Sequence, residues 1–387
     1  MIENITDSIV YTGVDDKDID LFESQYTVPS GISYNNYVIF GDDKTVVMDT
    51  VDQRKEELWM ENLEEALDGK KPDYLVISHM EPDHSSSIAK LLEKYPDMKI
   101  VGNAKTFPML SQFFEIPGLD EKKIVVKEGD TLDLGGRKLH FFMAPMVHWP
   151  EVMVTYDDKD KVLFSADGFG KFGALDTEEE WAPEARRYYY NIVGKYGPMV
   201  QALLKKAAKL DIAKIAPLHG PVLQGDLAPY LECYQKWSTY TPEEDGTLIA
   251  CASIHGNTMH AAEELKKMLE ARGEHVKLID LDRYDISRAV DDAFAFRKIV
   301  LMASSYDAGV FPPMENFLHR LVHKTVRGKK IAIIENGSWA PSAGKTMKGI
   351  VEELKNTDIV EPIVTIKSSF KESDRPAFEK LIDELLA

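Results

Sequence analysis

The sequence predicts a two-domain α/β chain, in which a strand-rich first domain precedes a parallel sheet with helices on both faces. Three observations carry this. At 387 residues the chain is too long for one ordinary core. A polar segment from Thr241 to Gly246 reads as a linker. Across it the pattern changes, from paired strands to short apolar strands separated by helices. The domains are expected at 1–244 and 248–387.

In the first domain, Ile32 to Phe40 and Thr45 to Asp49 alternate as strands around a turn at Gly41-Asp42-Asp43. Glu56 to Leu67 has helical spacing and stops near Gly69. Tyr74 to Ile77 is an apolar strand, and Ser85, Ser86 and Ser87 are placed to cap a helix over Ile88 to Tyr95. Thr131 to Met143 is a strand pair turning at Gly135-Gly136 and leading to His148. Lys161 to Asp167 is a strand with an acid at its end, and after a helical region over 184–210, Ile212 to His219 repeats the pattern. In the second domain Leu248 to Ala252, Val276 to Ile279, Ile299 to Ala303 and Ile331 to Ile334 are short apolar strands with helical segments between them. That alternation predicts a doubly wound parallel sheet.

Composition narrows the function. Net charge is -19, from 46 basic and 65 acidic residues, and such a surface repels nucleic acid. The only cysteines, Cys233 and Cys251, form no C-x-x-C pair, so the chain cannot build a rubredoxin, zinc-ribbon or iron–sulfur site of its own. The acidic N-terminal residues lack a signal peptide's regions, and no stretch is apolar enough for a membrane span, so the protein is expected in the cytoplasm.

Directly after the strand ending at Ile77, four potential metal ligands fall within six positions: His79, Glu81, Asp83 and His84. Three more strand-to-loop junctions end in a ligand-type residue, at His148, Asp167 and His219. Of five histidines in this domain, only His140 lies away from such a junction, and it reads as a core or surface residue. A single strand-end histidine is more often a hydrogen-bonded core residue than a ligand. Four junctions together point to one centre, and imidazole with carboxylate but no thiolate suits iron or manganese better than a closed structural zinc site.

The first 240 residues resemble the metallo-β-lactamase-type αββα sandwich, whose usual first motif is His-x-His-x-Asp-His. Here Glu81 stands at the second histidine. An anionic oxygen ligand there favours iron over zinc, and His-x-Glu-x-Asp-His is the mark of the flavodiiron proteins. By that resemblance His79, Glu81 and His148 bind one iron, Asp83, His84 and His219 bind the other, and Asp167 bridges them. The contexts around Ser78, Ser165 and Pro217 agree with the family.

The second half of the chain is consistent with this. The βα turn Ser253, Ile254, His255, Gly256, Asn257 and Thr258 offers hydroxyls, amides and a helix N-terminus to a phosphate, without the Gly-Lys-Ser/Thr ending of a Walker loop. Two further strand ends carry Ser304, Ser305, Tyr306, Asp307 and Gly309, and Asn336, Gly337, Ser338 and Trp339. Ligands of open α/β sheets bind at such carboxyl ends, and Tyr306 and Trp339 could flank a planar ring. The pattern over 248–387 is similar to flavodoxin and implies FMN. It departs from many relatives at Asp307, where they carry Asn, and in the segment from Ser338 to Ser342, where their loop is tighter and Gly-rich.

The resemblance implies an oxidoreductase in which FMN relays electrons from an external donor, rubredoxin or a reduced deazaflavin, to a diiron centre that reduces dioxygen to water or nitric oxide to nitrous oxide. It also implies a head-to-tail homodimer or dimer of dimers. Rival classes are a zinc hydrolase with a flavodoxin-like regulatory domain, which Glu81 disfavours, and an electron carrier with a structural metal. Trp149 is expected over the metal site, over a flavin or in the core. Among Tyr188, Tyr189, Tyr190 and Tyr196, one is a candidate proton donor and the rest packing.

Overall fold

The apolar alternation of the early chain folds into antiparallel strands: Ile9–Tyr11 pairs with Tyr37–Phe40, which pairs with Thr45–Met48. The chain then adds Tyr74–Val76, Lys99–Asn103 and Lys123–Val126 in parallel, completing a seven-stranded sheet that begins at Glu3–Asn4. A second sheet of six strands runs in sequence order from Thr131–Asp133 to Leu223–Gln224. In this computed structural model, which describes residues 2–387, the two sheets share one core. Ile39, Val46, Val76 and Val101 meet Phe141, Met153, Val162 and Phe164 across it. Helices Glu56–Leu67 and Thr106–Phe113 pack on the first sheet. Strands buried on both faces read as continuous apolar runs, and Thr45–Met48 is buried at every position.

The sheets are also tied through backbone. The turn after Phe40 donates from Asp43 and Lys44 N–H to the Leu134 carbonyl at 3.0 and 3.1 Å. Gly41 fits there because it has no side chain, since a Cβ would sit 2.2 Å from the Leu134 oxygen.

The second unit is a parallel sheet in the order Val276–Asp280, Glu244–Ala252, Phe296–Tyr306, Lys330–Asn336, with Val364–Ile366 beyond. In strand sequence this is 2-1-3-4-5, the flavodoxin-like order, with its topological switch between the first and third strands. Helices Asn257–Glu270 and Arg375–Leu386 share an apolar core with the sheet through Leu265, Leu269, Phe378 and Leu381.

The compact units are Met1–Tyr189 with Tyr196–Gln235, and Tyr190–Lys195 with Lys236–Ala387. The division falls inside helix Ala228–Ser238, ahead of the expected linker. Nor is all of Thr241 to Gly246 a linker: strand Glu244–Ala252 starts within it, because Glu244 pairs with Phe296 before a bulge. The serines after His84 do not cap the next helix. Ser85 and Ser87 donate instead to the Met80 and Val51 carbonyls, tying the segment to its own loop and to the loop after Thr45–Met48, and Pro82–Ser85 is itself a short helix.

Candidate metal centre and flavin cavity

The first unit gathers the seven side chains from its strand ends. The loop after Tyr74–Val76 carries His79 and Glu81, and the short helix that Pro82 opens carries Asp83 and His84. Asp49, which ends strand Thr45–Met48 in a left-handed conformation (φ 59°), anchors this loop. It accepts from the N–H groups of Ser78 and His79 at 2.6 and 3.3 Å. Burial pushes the Asp49 carboxyl up to about 6, against the pull of the Ser78 hydrogen bond. Asp167 follows strand Val162–Phe164 beside Ala166, also left-handed at φ 50°. His219 follows Lys214–Ala216, where Asn35 clasps its turn by donating to the Pro217 and Gly220 carbonyls at 2.8 and 2.7 Å.

These residues form two groups. His79, Glu81, His148 and Asp167 make one, and Asp83, His84 and His219 the other, with ligand atoms in each within 4.8 Å of one another. Glu81 Oε2 lies 3.2 Å from His79 Nε2 and 2.9 Å from His148 Nε2. Asp83 Oδ2 lies 3.3 and 3.2 Å from the Nε2 atoms of His84 and His219. Asp167 stands between the groups. Its Oδ2 is 3.4 Å from His79 Nε2 and 3.1 Å from His148 Nε2, while its Oδ1 is 3.3 Å from His84 Nε2 and 3.8 Å from His219 Nε2.

Metal ions fit this arrangement. Donor atoms about 2.0–2.2 Å from an ion lie roughly 3 Å from each other, which is the spacing seen. Both oxygens of Asp83 and of Asp167 are buried without a hydrogen bond. Buried polar atoms are normally satisfied, and exceptions call for an ion or water. His84 and His219 aim Nε2 at each other across 3.1 Å. Burial opposes a charge on His79, yet Asp167, Glu151 and Glu81 outweigh it and hold its pKa well above the ordinary imidazole value. His148 is likewise held at about 9, burial being outweighed by Asp167 and Glu81. Burial would raise Asp167, but the surrounding imidazoles, His79 first, hold it well below the usual range. The carboxylates are thus arranged around positive charge.

Several neighbours escaped the sequence reading. Glu151 Oε1 accepts from His79 Nδ1 at 2.7 Å, and the Ser33 carbonyl accepts from His219 Nδ1 at 2.7 Å. Phe22 and Tyr34 stand edge-on to the His219 ring at 5.4 and 6.0 Å. Asp49 had a legible signal, an acid closing an apolar strand as Asp167 does. Of the tyrosines, Tyr188 reaches the site, packed 5.5 Å from His219, while Tyr189 packs on Tyr234 and Tyr190 stacks on Phe294. Trp149 lies edge-on to His79 at 5.2 Å and to His148 at 6.3 Å. His140 is half-buried and faces Asp158 at 3.3 Å, away from the cluster.

In the second unit the strand-end loops enclose a cavity of about 830 Å³. Every residue expected at the flavin lines it except Gly256 and Gly309. Gly256 supplies the left-handed turn (φ 84°) that starts helix Asn257–Glu270, and Gly309 pairs with Tyr306 in a short hairpin. A polar network joins the loops: Thr258 Oγ1 meets Ser304 Oγ at 2.9 Å and accepts from Asn336 Nδ2 at 3.1 Å. Asn336 also exchanges two hydrogen bonds with the backbone of Ser368, which sequence reading did not place at the site. The Ser305 hydroxyl accepts from Ser342 and Ala343 N–H, capping helix Ala343–Val351. Tyr306 and Trp339 line the rim with 45% and 92% of their surface exposed.

A sheet sandwich with histidines and carboxylates at its strand ends, followed by a flavodoxin-like sheet, defines a metal- and flavin-type two-domain protein. The model of the ODP family beta lactamase matches residues 32–220. The chain is 30% identical over 380 residues to diflavin flavoprotein A 1 of Nostoc sp., covering 95% of this chain and 63% of that protein. It thus spans under two thirds of that relative. It is 30% identical over 357 residues to the anaerobic nitric oxide reductase flavorubredoxin of Aliivibrio fischeri, covering 88% and 70%. A solved flavo di-iron protein variant from Thermotoga maritima superposes with TM-score 0.90 at 26% identity, covering 100% of this chain and 98% of that one. The chain belongs to the flavodiiron protein family.

Proposed function

We propose that this protein is a flavodiiron oxidoreductase that reduces dioxygen to water or nitric oxide to nitrous oxide. The observation that carries the reading is Asp167, whose two oxygens face two separate ligand groups. His79, Glu81 and His148 would hold one iron, and Asp83, His84 and His219 the other. Asp167, with one oxygen toward each group, would screen the repulsion between two bound cations. When bound, the irons supply electrons and open positions for the gas, and FMN supplies electrons one or two at a time.

The remaining roles belong to the chain. Burial of the cluster excludes bulk water. Tyr188 keeps its proton on Oη, because burial and then Asp167 and Asp83 raise its pKa well above the ordinary value. It is therefore a neutral donor at the pocket. In the second domain, which we place at 248–387, the 253–258 turn takes the FMN phosphate, and the Tyr306 and Trp339 loops take the ring. The electron donor is external, a rubredoxin or a reduced deazaflavin, consistent with two isolated cysteines. We place the protein in the cytoplasm as a head-to-tail homodimer or dimer of dimers. Among the described residues no helix is long and apolar enough to cross a membrane.

Iron and flavin are quantified on anaerobically reconstituted protein, and turnover is then compared with each gas using a rubredoxin donor. Two irons and one FMN per chain, with gas-dependent turnover, are expected. Two zinc ions per chain with hydrolytic activity would overturn the reading. So would flavin oxidation that ignores iron loading.

A further inference from the structure

The imidazoles of the metal cluster are not backed alike. A ligand imidazole binds metal through one nitrogen and donates its proton from the other, and the acceptor it finds fixes its ring and its basicity. His79 finds a carboxylate, donating to Glu151 at 2.7 Å with both side chains fully buried. His219 finds a neutral carbonyl, that of Ser33. His84 finds nothing, and its Nδ1 is buried without a hydrogen bond.

Glu151 is built for this contact. The oxygen facing His79 also accepts from Met80 N–H at 2.9 Å, within the loop that carries the ligands. Asn103 Nδ2 donates to the Glu151 carbonyl and holds its backbone. The other carboxylate oxygen is buried without a hydrogen bond. Because a carboxylate only accepts, Nδ1 carries a proton toward Glu151, and a metal bound by His79 would take the Nε2 lone pair, on the side of Glu81 and Asp167. At His84 the same tautomer leaves a buried N–H unsatisfied, which weakens binding there.

We propose that Glu151 is a positioning residue that makes the centre two unequal metal sites. The site of His79, Glu81 and His148 fills first and more tightly than that of Asp83, His84 and His219. This rests on the ligand assignment proposed above.

The test is an anaerobic Co²⁺ titration of the full-length, FMN-bound, metal-free protein, read by visible absorption. Wild type is expected to take two ions per chain in steps at least about tenfold apart in affinity. His219→Ala keeps the tight step and His148→Ala loses it. Glu151→Gln weakens the first step about 10- to 100-fold, the usual effect of losing such a partner, and leaves the second unchanged. Its absorption bands at the first step shift, which loss of packing alone would not produce. Should Glu151→Gln fail to fold, as judged by circular dichroism and FMN content, the wild-type steps and the two histidine variants still decide the order. Two equal steps in wild type overturn the proposal, as does a tight step that survives His148→Ala or is untouched in Glu151→Gln. Binding of no Co²⁺ instead overturns the ligand assignment, and the proposal with it.

Discussion

At the scale of single residues, Asp167 concentrates the chemistry. Both its oxygens are buried without hydrogen bonds and each faces a different pair of imidazoles. Asp167→Ala is expected to cost at least about 100-fold in gas-dependent turnover and to leave at most one tightly held iron per chain. Iron analysis beside initial rates checks this. Lys329 is the second telling residue. It is buried, caps the end of helix Ile286–Ala295 by donating to the Phe294 and Phe296 carbonyls, and burial lowers its pKa to about 7. Its folded pKa lies below the unfolded value of 10.5, so the unfolded chain binds more protons between those two pH values. Stability therefore rises with pH from about 7 to about 10.5, by up to about 1.4 kcal/mol per pH unit from this group. Lys329→Met should remove that component of the slope in urea unfolding measured across the window. An unchanged slope would show that the amine titrates normally.

At the scale of elements, one amide fastens loops from three strands around the cavity proposed for the flavin. Asn336 reaches Thr258 on one side and the Ser368 backbone on the other. Each such bond contributes about 1 kcal/mol, and 1.4 kcal/mol is tenfold in affinity. Asn336→Ala should weaken FMN binding about 10- to 100-fold by fluorescence titration of apoprotein, while metal content stays at the wild-type level. The first unit has an equivalent tie at Gly41. A Cβ there would meet the Leu134 oxygen at 2.2 Å, a contact that backbone must move to relieve. Gly41→Ala should destabilise the first unit by about 1–3 kcal/mol. A melting temperature equal to wild type would mean the turn shifts freely.

At the scale of the molecule, metal and fold are linked. The seven side chains proposed as ligands come from four separate stretches of chain, and three of them are carboxylates. An ion bound only by the folded state stabilises it, by about 2.7 kcal/mol at a hundred times its dissociation constant. Chelation should therefore lower the melting temperature of the first unit, and re-addition of Fe²⁺ should restore it. A calorimetric trace indifferent to metal would contradict a site built from residues this far apart. The second unit shares none of these ligands, so its transition should follow FMN instead.

The sequence by itself determined the residue types and the elements. Helix Glu56–Leu67 and the ends of the strands were readable because apolar spacing encodes a face and a period. That these seven candidate ligands would gather was readable because strand ends on one edge of a sheet converge. The tertiary structure alone decided the rest. That Asp167 turns one oxygen to each group, that Glu151 backs His79, and that Tyr188 rather than its neighbours reaches His219 depends on how two sheets and their loops pack. His79 and Glu151 are 72 residues apart in the chain, and no local periodicity records a distance of that kind. The capping role expected of the serines after His84 failed for the same reason: loop carbonyls at Met80 and Val51 took the hydroxyls of Ser85 and Ser87.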